Sequence, residues 1–123
     1  MRTCFFILML SVSAGIFSNN NNCSKPSETE KIQRLIKYVR SLQGATFIRN
    51  GSEHTPAEAA DHMELKLKKA GSKVRTAVQF ITYCASKSSV SGKDYMVRLQ
   101  SGKMVKSMDL LVEELKRIEK ENS

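Results

Sequence analysis

Aromatic rings are scarce in this chain, which has no tryptophan, three tyrosines and five phenylalanines. Proteins that grip single-stranded nucleic acid stack bases on such rings. No recognised nucleic-acid module is visible either, so the net charge of +8 does not point to nucleic acid as a partner. Cysteine is sparse as well: Cys4 lies in an apolar run at the N-terminus, leaving only Cys23 and Cys84. In an oxidising compartment that pair can close one disulfide. Alternatively Cys84, set among Phe80, Ile81 and Ala85, serves as a small buried hydrophobe. The two histidines, His54 and His62, match no zinc spacing such as His-Glu-x-x-His, so no metal and no cofactor are expected.

Two further motifs are missing. The serine-rich "SKSSVSGKDY" (Ser86 to Tyr95) has Lys87 where a P-loop needs its first glycine and Asp94 where it needs the closing hydroxyl. Neither Lys87 nor Lys93 has a serine three places before it, which excludes the Ser-x-x-Lys of penicillin-recognising enzymes. As a loop of hydroxyls and amides beside lysines it can hold an anion, or it is simply a turn.

The apolar run "CFFILMLSVSAGIF" (Cys4 to Phe17) is too short to cross a bilayer core of ~30 Å, which takes about 20 residues. Preceded by the single charge of Arg2, with Val12 and Ala14 after its apolar heart and Ser18 just beyond its end, it has the build of a secretory signal peptide. The expected organisation is a signal peptide at 1–18, a polar spacer at 19–26 and a single small globular domain at 27–123. Lipid anchoring at Cys23 would want a leucine-like residue three places earlier and a small one just before it. Both positions are asparagine, so anchoring is not expected, nor is a transmembrane helix in the mature chain.

Caps and periodicity predict four helices. Ser27 with Glu30 opens the first, which carries Ile32, Leu35, Ile36, Val39 and Leu42 before Gly44. Thr55, Pro56 and Glu58 open the second, with Ala59, Met63, Leu67 and Ala70 on its apolar stripe and Gly71 at its end. Thr76 with Gln79 opens a third, reaching about Ser86. The last follows Ser107 and lines up Met108, Leu111, Val112, Leu115 and Ile118. "TFI" (Thr46 to Ile48) running into Asn50-Gly51, and "DYMVRL" (Asp94 to Leu99), read instead as two strands of a short antiparallel ribbon. The expected fold class is therefore mainly α, small α+β: about four helices with a short two-stranded antiparallel ribbon.

Charge is distributed unevenly. Residues 65–108 hold ten lysines and arginines against one carboxylate, Asp94. Such a field attracts anions. For an exported protein these are a lipid headgroup, an acidic envelope polysaccharide or an acidic partner protein; the alternative is a solvated surface that serves solubility. Just upstream, "FIRNGSEHTPAEAADH" (Phe47 to His62) holds both histidines, and Glu58, His62 and Lys66 fall one helical turn apart. His62 tuned by Glu58 and Lys66 would suit acid/base work, but no nucleophile stands at a defensible spacing. The structural alternative makes Asn50-Gly51 a turn, pairs Arg49 with a carboxylate such as Asp61, and seats His62 at the edge of the core.

The stretch from Thr46 to Leu99 resembles the core of the YfeK-like proteins, small secreted bacterial proteins of unassigned function. "RNG", "EHT", "EAADH", Lys66, "QFI" and "SGK" occur in order at family-like spacing over 46–99. The chain differs from many relatives at Ala45, where a cysteine often precedes "TF", and at Cys84. The resemblance implies a periplasmic address and no reaction. It also implies a polar set of Arg49, Asn50, Gly51, Glu53, His54, Thr55, Glu58, His62 and Lys66, with Ser91, Gly92 and Lys93 from the later loop. The functional expectation is non-enzymatic binding of an anionic envelope component or partner protein. Its alternative is an envelope-acting hydrolase with His62 as general base.

Overall fold

A computed structural model describes residues 25–121. The expected signal peptide, Cys23 and most of the polar spacer lie outside the described residues, and so does any pairing of Cys23 with Cys84. Cys84 itself is buried, has no disulfide partner among the described residues, and its thiol pKa is raised by burial. Among the described residues no helix is long and apolar enough to cross a membrane.

All three caps form. Ser27 Oγ accepts from the Glu30 amide, Thr55 Oγ1 from the Glu58 amide and Thr76 Oγ1 from the Gln79 amide. Only Gln79 completes a box by accepting the Thr76 amide in return. These caps start helices α1 (Glu28–Arg40), α2 (Pro56–Ala70) and α3 (Ala77–Phe80). The third helix does not run on as an α-helix: a π-helical turn, Ile81–Ala85, carries the chain on from α3. Helix α4 spans Ser107–Glu121. Most of the expected stripe residues are buried: Leu35, Ile36 and Val39 from α1, Ala59 and Met63 from α2, and Leu111, Leu115 and Ile118 from α4 meet Phe80, Ile81 and Cys84 in one core, which Ala60 joins unexpectedly, whereas Met108 of the expected α4 stripe is 43% exposed. Helix α1 lies at the centre of this cluster, against α2, α3 and α4. A long-range cap reinforces it, since the Glu28 carboxylate accepts the Ala77 amide at 2.9 Å and that bond holds its pKa below the usual value.

The expected two-stranded ribbon is overturned by a four-stranded antiparallel sheet in the order β2-β1-β3-β4. The pairing of β1 (Thr46–Arg49) with β3 (Met96–Arg98) occurs as expected, with Phe47 opposite Val97. Two unexpected strands add to its sides: β2 (Ser52–His54) by a hairpin on β1, and β4 (Met104–Lys106) on β3. Each has three residues, too few to show an alternation, and β2 reads as polar. They form because the backbone groups of β1 and β3 offer partners and the helices cover one side of the sheet.

Strand alternation then assigns faces. His54, Phe47, Val97 and Val105 stand opposite one another across the four strands, on the side of the buried Phe47 and Val97. Arg49 and Tyr95, two places from Phe47 and Val97, belong to that same helix-facing side. Ile48, Glu53, Met96, Arg98 and Lys106 take the other.

Asn50 and Gly51 both have positive φ, 51° and 79°, in the two-residue loop of the β1–β2 hairpin. This is the conformation whose twist matches paired strands. A Cβ at Gly51 would meet no atom within 4 Å, so only the backbone resists a side chain there. Gly51→Ala is accordingly expected to lower unfolding free energy by about 1–2 kcal/mol, read by urea denaturation. An unchanged midpoint would mean the turn is not held in this form.

Candidate functional site

Between the β1–β2 turn, the middle of α2, the π turn and the loop before β3 lies an open hollow of about 550 Å³. Four cations line it: Arg49 from the end of β1, Lys66 and Lys69 from α2, and Lys73 just beyond that helix. Positions 66, 69 and 73 succeed one another at three and four residues, which keeps them on one side as the helix passes into a 3-10 turn. No aspartate or glutamate is among the lining residues. Ala70, Tyr83 and Val90 add apolar surface, and Ser88 and Ser89 add hydroxyls.

Tyr95 forms the inner wall. It is buried to 6% exposure, and its ring places the hydroxyl between α2 and the sheet. Lys66 Nζ donates to that hydroxyl at 3.3 Å and to the Lys87 carbonyl at 3.2 Å. Because an ammonium only donates, the Tyr95 oxygen accepts from it, and His62 Nε2 lies 3.5 Å from the same oxygen. The His62 ring meets the Tyr95 ring edge-on, at an interplanar angle of 74°. Partial burial, with Arg49, Lys66, His54 and Lys69 nearby, pushes the His62 pKa from 6.5 to about 4. The imidazole is therefore neutral at pH 7, with one nitrogen to donate and one to accept.

The loop wall is braced. Asn50 Nδ2 donates to Ser88 Oγ at 3.2 Å, Ser91 Oγ donates to Asn50 Oδ1 at 2.5 Å, and Ser88 Oγ accepts the amides of Val90 and Ser91. The left-handed turn residue thus doubles as a strut for the serine loop.

Of the residues singled out from sequence, Arg49, Asn50, His62 and Lys66 come together here. Others do not. His54 lies on a neighbouring pinhole of about 20 Å³, its Nδ1 3.2 Å from Glu58 Oε2 and its Nε2 buried without a hydrogen-bond partner among the described residues. The row Glu58, His62, Lys66 is thereby split, because Glu58 turns to His54. Glu53 binds Arg98 at 2.9 Å on the opposite face of the sheet. Gly51 and Gly92 (φ 71°) serve turns. Ser91 and Lys93 close the serine loop, Lys93 through its amide to Ser91 Oγ and its carbonyl to the Ser88 amide, and neither lines the hollow. The expected pairing of Arg49 with Asp61 is not made: Asp61 takes Arg40 at 2.8 Å, since α1 packs along α2 and brings that guanidinium to it. Arg49 is left to the hollow.

The basic stretch also divides. Lys66, Lys69 and Lys73 line the hollow, whereas Lys106 pairs with Asp94 and Arg98 with Glu53. Lys69, Lys73 and Tyr83 were missed as site residues, whereas Ser88, Val90 and Tyr95 belong to the serine-rich stretch read as able to hold an anion but were not singled out. The helical spacing of the lysines was a readable signal; the convergence of Tyr83 with the serine loop had none. Among the described residues no group of three or more histidine, cysteine or carboxylate side chains could hold a metal ion.

Comparison with known proteins adds kinship without chemistry. The profile of the Family of unknown function (DUF5329) matches residues 26–119, most of the chain. The chain belongs to that family. It is also similar to the Uncharacterized protein YfeK of Salmonella typhimurium (strain LT2), 38% identical over 68 residues, 55% of this chain and 57% of the relative. The match thus spans little more than half of the relative's length, and the YfeK-like kinship expected from the motifs holds. No solved structure matches the chain. Neither the family description nor the relative's name assigns a reaction.

The depressed His62 pKa has a consequence for stability. Between pH 6.5 and 4 the unfolded chain binds a proton at this ring that the folded chain refuses, so folding weakens as pH falls through that window. His62→Gln is expected to flatten the fall in thermal midpoint over this range. Superimposable profiles for parent and variant would show that the ring titrates alike in both states.

Proposed function

We propose that this protein is a non-catalytic binder of anionic ligands, exported through its N-terminal apolar segment, and that the Arg49–Lys66–Lys69–Lys73 hollow is its site. The observation that carries this reading is four cations around one cavity with no lining carboxylate to neutralise them. None of Arg49, Lys69 and Lys73 spends its side-chain charge on an acidic group of the described residues. Like charges held together cost free energy, and a bound anion relieves that cost. The volume falls within the range of ordinary small-molecule sites, about 300–1,000 Å³. His62, neutral at pH 7, can donate to an anion without adding a permanent charge. The anionic envelope component expected from sequence suits this chemistry better than an acidic protein, which would meet a concave site rather than a broad face.

The alternative, a hydrolase with His62 as general base, receives less support. Burial, with crowding by cations, makes that imidazole a weak base near neutrality, and no carboxylate is at hand to orient it.

Titration with inorganic pyrophosphate tests the proposal. Binding should weaken as salt rises from about 0.02 to about 0.2 M. Arg49→Gln and Lys69→Gln should each raise Kd about fivefold, whereas Lys106→Gln, on the other face of the sheet, should not. Absence of binding, or equal loss with Lys106→Gln, would overturn it.

A further inference from the structure

The hollow is much larger than a bare inorganic anion needs. A water's share of liquid volume is about 30 Å³, so a phosphate group would leave most of the 550 Å³ open. Part of the lining around the remaining space is apolar and exposed. Tyr83 and Val90, two of the large hydrophobic side chains most open to solvent at 58% and 96%, both line this hollow. Their positions are not incidental. Tyr83 is carried by the π turn, and Val90 sits at the tip of the serine loop, where the Ser88 hydroxyl holds its amide and Asn50 ties the loop to the β-hairpin. Lys87 and Lys93 flank that tip in the chain, and Lys73 shares the lining of the hollow with no acidic group.

An apolar tip ringed by cations is ill-suited to a freely dissolved ion, which gains nothing from Val90. It matches the boundary of an anionic bilayer, where phosphates meet lysine and arginine while short apolar side chains enter the layer between headgroups and acyl chains. We infer that the rim of this hollow docks on a membrane surface rich in anionic phospholipid. One headgroup phosphodiester occupies the Arg49–Lys66–Lys69–Lys73 site, and Val90 and Tyr83 insert beside it. The inference rests on the anion-binding reading and adds to it the source of the anion and the orientation of the protein.

Co-sedimentation with vesicles decides it. Vesicles of phosphatidylglycerol and phosphatidylethanolamine should carry the protein down, and vesicles of phosphatidylcholine alone should not. Val90→Ser, which removes apolar surface without adding charge at a 96% exposed position, should weaken binding to the anionic vesicles by about fivefold or more. Because Val90 lines the hollow, its pyrophosphate affinity is read alongside, and the loss on vesicles should clearly exceed any loss on pyrophosphate. Lys69→Gln should weaken both. Three results would overturn the inference: equal vesicle binding by parent and Val90→Ser, pyrophosphate binding without vesicle binding, or equal binding to both kinds of vesicle. The second leaves the anion site standing with a soluble ligand, whereas loss of pyrophosphate binding as well would remove the anion site itself.

Discussion

The burial of Tyr95 is the constraint on which the rest of the arrangement depends. Its amide donates to the Ser86 carbonyl at the end of the π turn, and its carbonyl accepts the Ser107 amide at the start of α4. Its hydroxyl meets Lys66 of α2 and approaches His62. One residue therefore ties the sheet to three helical segments. A buried phenol must satisfy its hydroxyl, and here the donor that satisfies it is a lysine. The fold thus draws one positive charge toward its interior, and the site grows around that charge.

Crowding of like charge follows from packing rather than from composition. Helix α2 supplies lysines by its spacing, and β1 supplies Arg49 by alternation from the buried Phe47. Carboxylates that could have quenched them are taken elsewhere: Asp61 and Glu64 by Arg40, Glu53 by Arg98, Glu58 by His54. The His62 ring records the outcome, because burial and neighbouring cations both oppose its protonation. A group of charges that the fold leaves uncompensated is a recurrent sign of a place where something else binds.

Legibility varied with the range of the interaction. Ser27, Thr55 and Thr76 announced helix starts because a cap is satisfied within three residues, and the stripe from Ile32 to Val39 announced a buried face because helical period is local. The β1–β3 pairing was readable in outline because both segments alternate around a buried residue. The strands β2 and β4 were not, since three residues carry no period and their stability comes from neighbours already in place. The π turn was equally hidden. Its residues read as a continuing apolar helix, and the Ser86 carbonyl at its end is claimed by the Tyr95 amide from the other side of the serine loop.

The sequence by itself determined the helices, their caps, the Asn50-Gly51 turn and the excess of cations in 65–108, because each rests on residue type and spacing within a few positions. Only the tertiary structure decided which cations share a cavity. Lys66, Lys69 and Lys73 meet Arg49 while Arg98 and Lys106 face the other way, because strand alternation and the α1–α2 packing assign sides and partners between residues distant in the chain.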